Sequence, residues 1–234
     1  MKGLRTLGRS VLGATAVGFA CLVYSYLTLP DVRSLRTSNP TTTAFIELRA
    51  EEARAKGRSL RHVQQWAGYA RFSPDLKRAV LVAEDDAFWQ HEGVDFEQLQ
   101  ESLQIDWTRG RWLRGGSTIT QQLAKNLYLS PSRNPVRKLR ELVIARRLEV
   151  ELKKARIFEV YLNVIEWGDG VYGAEAAART YFHTSASALD QVQAAALAAC
   201  IVNPRQMNPA RPTARFTRRQ QMILRRMGAM HAPE

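Results

Sequence analysis

Apolar positions along this chain recur mostly with helical spacing. Ile119, Leu123 and Leu127 fall at i, i+4 and i+8 and make one apolar stripe, while Thr118, Gln121, Gln122 and Lys125 cluster on the opposite side. Helix-start signals flank several apolar blocks. Ser73-Pro74-Asp75 supplies a cap, a proline at the first position and an acid in the first turn, and the apolar run 79–83 follows up to Glu84-Asp85-Asp86. Asn134-Pro135 repeats the signal before a helix predicted to reach about residue 153, and another is predicted from about 154 to 167, stopping at Gly168. Asp190 opens an alanine-rich helix that ends before Asn203-Pro204, and a last helix is predicted over about 215–230. No stretch alternates convincingly with period two, and no internal repeat is visible. The fold class predicted from the pattern is mainly α.

The N-terminal block differs in kind. Residues 11–29, VLGATAVGFACLVYSYLTL, hold no charge over 19 positions, about the length that spans a bilayer core as a helix. Lys2, Arg5 and Arg9 precede it, which favours a cytoplasmic N-terminus, although Arg33 and Arg36 on the far side oppose that bias. A cleaved signal peptide lacks a clean small-x-small site after the run, and Gly18-Phe19-Ala20 before Cys21 matches a lipobox poorly. The reading adopted is an uncleaved anchor with the rest of the chain outside the cytoplasmic membrane. Residues 31–45, rich in Thr, Ser, Asn, Pro and Arg, read as a tether, and 46–65 as polar and partly helical.

Composition narrows the chemistry. With 45% hydrophobic and 24% charged residues, the 234-residue chain can build a core and is not a disordered polymer. Its net charge of +12 calls for an anionic partner: nucleic acid, an anionic membrane surface or a phosphorylated substrate. Two cysteines, Cys21 and Cys200, exclude a disulfide scaffold, and the scattered histidines 62, 91, 183 and 231 offer no metal site made of protein groups.

Two constellations stand out. Gly115-Gly116-Ser117-Thr118 ahead of the polar helix face suits a helix start that receives an anion. Arg137 and Lys138 lie four and three residues before Glu141 and place a carboxylate between two cations, which elsewhere would be an ordinary surface cluster. Region 96–116, with Trp107, Arg109, Arg111, Trp112 and Arg114, reads as a loop that can move. Other matches carry little. Gly168, Gly170 and Gly173 spell G-x-G-x-x-G but follow a helix with no βαβ unit. Glu101-Ser102 lacks the glycine-methionine-glutamine that follows it in lytic transglycosylases. Ser132-Arg133-Asn134 stands without the S-x-x-K and K-T-G of penicillin-binding transpeptidases.

Four strings in order resemble the motifs of the peptidoglycan glycosyltransferases: Glu84-Asp85-x-x-Phe88-x-x-His91-x-Gly93-x-Asp95, then GGSTITQQLAKNL at 115–127, Arg137-Lys138-x-x-Glu141, and KARIFEVYLNVIEWGDGVYGAEAAARTYF at 154–182. The resemblance covers about residues 65–227 and, with no transpeptidase signature, points to the monofunctional form. His183-Thr184 and Trp167 depart from residues common in the family, away from the expected reacting groups.

The resemblance implies a lysozyme-like, two-lobed helical domain whose smaller apolar lobe dips into the bilayer, behind one N-terminal transmembrane helix. It divides the chain into a cytoplasmic leader and anchor at 1–30, a tether and linker at 31–64, and the glycosyltransferase domain at 65–234. It implies polymerisation of lipid-linked disaccharide-peptide (lipid II) into glycan strands, with inversion and loss of undecaprenyl pyrophosphate. Glu84 is then the general base and Glu141 the second catalytic carboxylate, orienting the donor site. Lys125, Arg133, Arg137 and Lys138 hold pyrophosphate, and Ser117, Thr118 and Gln121 line the donor cleft. Asp85, His91 and Asn163 are as readily structural as catalytic. No cofactor follows from the sequence, which leaves open a divalent cation accompanying the pyrophosphate. The implied partners are lipid II, the growing lipid-linked glycan, the cytoplasmic membrane and other cell-wall synthesis or division proteins, with the catalytic domain on the extracytoplasmic side.

Two rival readings remain at this level. A hydrolase on the same fold would need a carboxylic acid at the leaving oxygen, whereas a pyrophosphate leaving group needs cations. A nucleic-acid-binding protein would use the seven arginines at 205–226, a stretch with no acid, but that stretch more naturally faces anionic lipid.

Overall fold

A computed structural model describes residues 23, 24, 27–59, 61–95, 100, 116–130, 132 and 134–229. The expected anchor at 11–29 lies largely outside the described residues, as do Arg133 and most of the loop at 96–116. Among the described residues no helix is long and apolar enough to cross a membrane. Val32–Glu234 forms one compact unit, separate from Met1–Asp31.

The unit is mainly helical. In chain order it contains α1 (Ala44–Ala55), β1 (Val63–Gln64), α2 (Pro74–Glu84), α3 (Ile119–Tyr128), α4 (Pro135–Glu151), α5 (Lys154–Val164), β2 (Glu166–Gly168), β3 (Val171–Tyr172), α6 (Ala174–Phe182), α7 (Gln191–Cys200) and α8 (Ala214–Ala229). Local chemistry sets the starts. The side chains of Ser73, Thr118, Asn134 and Asp190 accept hydrogen bonds from Leu76, Gln121, Val136 and Gln193 N–H groups, each satisfying an otherwise orphaned donor of the first turn. Asp190 and Gln193 complete a reciprocal capping box.

Packing follows from the apolar faces. Ile119, Leu123 and Leu127 are buried as the stripe predicts, and α3 lies against α4 and α5. The alanine-rich α7 is buried from Ala194 to Cys200, and α2 and α8 pack against it and each other. Its small side chains allow helix backbones to approach closely, so α8 comes to lie beside the end of α2.

The structure adds elements that the pattern did not show. β1 and β2 flank β3 in a three-stranded sheet, β1 parallel to β3 (Val63 opposite Val171, Gln64 opposite Tyr172) and β2 antiparallel. Strands of two or three residues are too short to display alternation. The helix predicted to reach residue 167 ends at Val164, where the chain enters β2, and α6 follows the glycine-rich turn. The stretch 31–64, expected as tether and linker, is packed into the unit from Val32 onward. Leu35 and Ile46 are buried, and Arg49 on α1 bonds the buried Glu166 of β2 at 3.0 Å.

The glycines of the G-x-G-x-x-G string serve this turn. At Gly170 φ is +70°, and an added Cβ would lie 2.3 Å from the Arg61 carbonyl oxygen; at Gly168 it would meet the Tyr181 hydroxyl. The string therefore reflects close backbone approach. Gly170→Ala combines a disfavoured φ with a backbone clash and should cost about 1–3 kcal/mol. Urea denaturation checks this, and a loss below about 0.5 kcal/mol, within ordinary surface variation, would contradict it.

Candidate active site

The described part of the site is built where the end of α2 meets α3 and α8, and where α4 meets the start of α3. Glu84 is the last residue of α2 and is largely buried. Each of its carboxylate oxygens has a partner. Gln122 on α3 donates from Nε2 to Oε2 at 3.0 Å, and Arg219 on α8 donates from Nη2 to Oε1 at 2.8 Å. Gln122 is itself oriented by the Tyr161 hydroxyl of α5, which donates to its Oε1 at 2.8 Å. Burial pushes the Glu84 carboxyl above its ordinary range, while Gln122, Arg219 and Lys125 pull it back towards the charged form.

Asp85 and His91 form the support behind Glu84. The buried Asp85 faces His91 Nε2 at 2.9 Å and accepts the Ile119 N–H at 2.9 Å, tying the end of α2 to the start of α3. Gly93 N–H points at His91 Nδ1 at 3.1 Å. If Nδ1 accepts there, the ring is left with its donor on Nε2, towards Asp85. Thr118 Oγ1 donates to the Gly93 carbonyl at 2.7 Å, and Gln121 Nε2 reaches the same oxygen at 3.2 Å. Both residues, expected to line a cleft, are buried and stitch the 91–93 turn to α3.

The second carboxylate, Glu141 on α4, is also buried. Arg137 Nη1 meets its Oε2 at 2.6 Å and Lys138 Nζ its Oε1 at 2.5 Å, as the i+4 and i+3 spacing predicts. Lys138 further donates to Gln121 Oε1 at 3.0 Å and Ser117 Oγ at 3.2 Å. An ammonium has three N–H groups, and these three acceptors match all of them. Lys138 therefore fastens Glu141, Gln121 and Ser117 together. Arg137 also donates through Nε to the Ser132 carbonyl, and its Nη2 has no partner among the described residues.

Lys125 differs from these cations. It lies one turn beyond Gln121 and Gln122 on the same face of α3 and is half-buried, yet among the described residues its ammonium has no hydrogen-bond or ion-pair partner. Burial lowers its pKa, Arg137 and Lys138 lower it further, and the carboxylates Glu141 and Glu84 oppose them. Its ammonium is therefore desolvated, without a partner among the described residues, and influenced by two carboxylates that other donors already hold.

Sequence reasoning brought Glu84, Ser117, Thr118, Gln121, Lys125, Arg137, Lys138 and Glu141 to this region, and the described structure places all eight there. It missed Arg219, Gln122 as a ligand of Glu84, and Tyr161. The arginine-rich stretch also divides: Arg205 pairs with Glu52 and Asp169, Arg219 with Glu84 and Arg226 with Asp86, while Arg211, Arg215, Arg218 and Arg225 are exposed. Among the described residues no group of three or more His, Cys, Asp or Glu could hold a metal ion.

The described site thus combines a largely buried carboxylate at a helix end, a second carboxylate held between two cations, and an ammonium with no partner among the described residues. The chain matches the transglycosylase family model over residues 52–228 and belongs to that family. It is 48% identical over 195 residues to a biosynthetic peptidoglycan transglycosylase of Dechloromonas aromatica (strain RCB), covering 83% of this chain and 84% of that protein. It is 45% identical over 231 residues to the one from Thiobacillus denitrificans (strain ATCC 25259 / T1), covering 98% and 97%, and 43% identical over 223 residues to that of Laribacter hongkongensis (strain HLHK9), covering 95% and 98%. The chain is thus a glycosyltransferase enzyme.

Proposed function

We propose that this enzyme polymerises lipid II into glycan strands with release of undecaprenyl pyrophosphate. The observation that carries the reading is the half-buried ammonium of Lys125, which has no partner among the described residues and is influenced by both Glu84 and Glu141. The 4-hydroxyl of one sugar attacks the anomeric carbon of the other. As the new C–O bond forms, the bond to pyrophosphate breaks from the opposite face, the configuration inverts, and the proton passes to Glu84. A hydroxyl is a weak nucleophile and needs that base, and the departing pyrophosphate needs positive charge. Lys125 supplies the charge, with the Nη2 group of Arg137, which has no partner among the described residues, and with Arg133, four residues before Arg137 in the sequence. Lys138 acts by holding Glu141, Gln121 and Ser117 in register. Thr118 fixes the start of α3, and Glu141 orients the cations.

The domain is lysozyme-like in this reading, with residues 11–29 anchoring it to the cytoplasmic membrane and the site on the extracytoplasmic side, where lipid-linked donors are exposed. The exposed arginines of α8 face anionic lipid. A divalent cation travelling with the pyrophosphate would add to the charge that Lys125 provides. Incubation of the purified full-length protein with lipid-linked disaccharide-peptide should yield polymer, and accumulation of hydrolysed fragments alone would overturn the reading. Lys125→Ala should lower polymerisation at limiting donor by about 10- to 100-fold, the scale of one lost charge-assisted contact, with little change in melting temperature. Full activity in that variant would remove Lys125 from the donor site.

A further inference from the structure

We infer that Arg219, on α8, is a positioning residue that aims the Glu84 carboxylate and sustains its capacity to act as a base. The inference rests on the reading of Glu84 as the general base. Its ground is geometric. Phe216, Ile223 and Met227 form the buried stripe of α8, and Arg219, three residues after Phe216 and four before Ile223, lies at the edge of that stripe. From there Nη2 reaches both the Ala83 carbonyl at 3.3 Å and Glu84 Oε1 at 2.8 Å, so one nitrogen grips the last turn of α2 and its carboxylate together. The Arg219 Nε–H is buried with no partner among the described residues. With Gln122 on the other oxygen, the carboxylate cannot swing, and each oxygen keeps a lone pair for an incoming hydroxyl.

Among the described residues the groups facing Glu84 are few. Lys125 and Gln122 come from α3, and Tyr161 from α5 holds Gln122. Asp85, the next residue, is engaged by His91 and the Ile119 N–H. α7 has no Asp, Glu, Lys or Arg, and from α8 Arg219 faces Glu84 while Arg226 meets Asp86 at 2.9 Å. Burial raises the carboxyl, and Arg219 and Lys125 are the two cations opposing it. Removing Arg219 therefore raises Glu84 further. A base works only above its own pKa, so the acid limb of the rate profile must move to higher pH.

The test is the polymerisation rate of the full-length enzyme from about pH 5 to 9. Arg219→Met should move the acid limb upward by about one pH unit or more, the usual effect of losing an adjacent opposite charge. At the acid end its turnover should fall about tenfold or more, and it should recover substantially in alkali, with the KM for the lipid donor within about twofold of wild type. Arg219→Gln, which keeps a donor but no charge, should move the limb in the same direction and serves if the methionine variant folds poorly. Arg219→Lys should return the limb towards wild type. Arg226→Met, which removes the Asp86 ion pair about two turns further along the same helix, should leave it in place. An unmoved limb in folded Arg219→Met and Arg219→Gln overturns the inference, as does an equal shift in Arg226→Met. Glu84→Gln separates the two layers. If it keeps near wild-type turnover, the base assignment fails; if it is inactive while the Arg219 variants keep the wild-type limb, only the role of Arg219 fails.

Discussion

Glu84→Gln should reduce polymerisation by about 10² or more, the scale of lost general-base help, while the protein stays folded. The amide keeps the size of the carboxyl and one oxygen that can still accept from Gln122 or Arg219. It cannot take the proton of the attacking hydroxyl. Stability should change little, because two effects oppose. A largely buried carboxylate pays a desolvation cost that a neutral amide does not, and against this the Arg219 ion pair is lost. Binding of a donor analogue should persist, since Lys125 and Arg137 are unchanged. The assay must follow polymer, because a hydrolase with an acid at this position would lose activity in the same variant. A folded Glu84→Gln enzyme with near wild-type turnover would require the proton to leave by another route.

The parts of this molecule that sequence reveals are those decided within one helical turn. Ser73-Pro74, Asn134-Pro135 and Asp190 mark helix starts because each cap bonds an N–H only two or three residues away. The Arg137, Lys138 and Glu141 cluster is legible for the same reason. What stayed hidden depends on tertiary approach. Arg219 meets Glu84 across 135 residues, and within a stretch of seven arginines nothing local distinguishes it from its exposed neighbours. Gln122 was visible as part of a polar face, but its tie to Glu84 depends on α3 lying against the end of α2. The three short strands left no period to detect, and the packing of 31–64 depends on single residues such as Leu35, Ile46 and Arg49 rather than on an apolar run.

The motif residues also divide by role in a way that sequence cannot supply. Asp85, His91 and Asn163 sit among the matched strings, yet the bonds of Asp85 and His91 run to other protein groups behind the site. A motif position is thus evidence that a residue is needed, and only its contacts distinguish chemistry from support.

Asn163 makes that distinction measurable. It is 0% exposed and is the penultimate residue of α5. Oδ1 accepts the Ala67 N–H at 2.9 Å, and Nδ2 donates to the Ala67 carbonyl at 2.8 Å and the Glu159 carbonyl at 2.8 Å. One amide thus closes both backbone groups of Ala67 and fixes the segment that leads from β1 into α2. Asn163→Ala leaves the N–H and C=O of Ala67 without partners, while the Glu159 carbonyl retains its helical bond. At about 1–3 kcal/mol for each unmet buried group, the loss should be about 2–6 kcal/mol, or on the order of 10 °C in melting temperature for a unit of this size. Asn163→Asp should not rescue it, because a carboxylate facing the Ala67 and Glu159 carbonyls replaces two attractions with repulsion. Turnover per folded molecule, measured well below the melting transition, should stay within a few-fold of wild type. A variant that melts normally but has lost about 10² in turnover would instead place Asn163 in the chemistry.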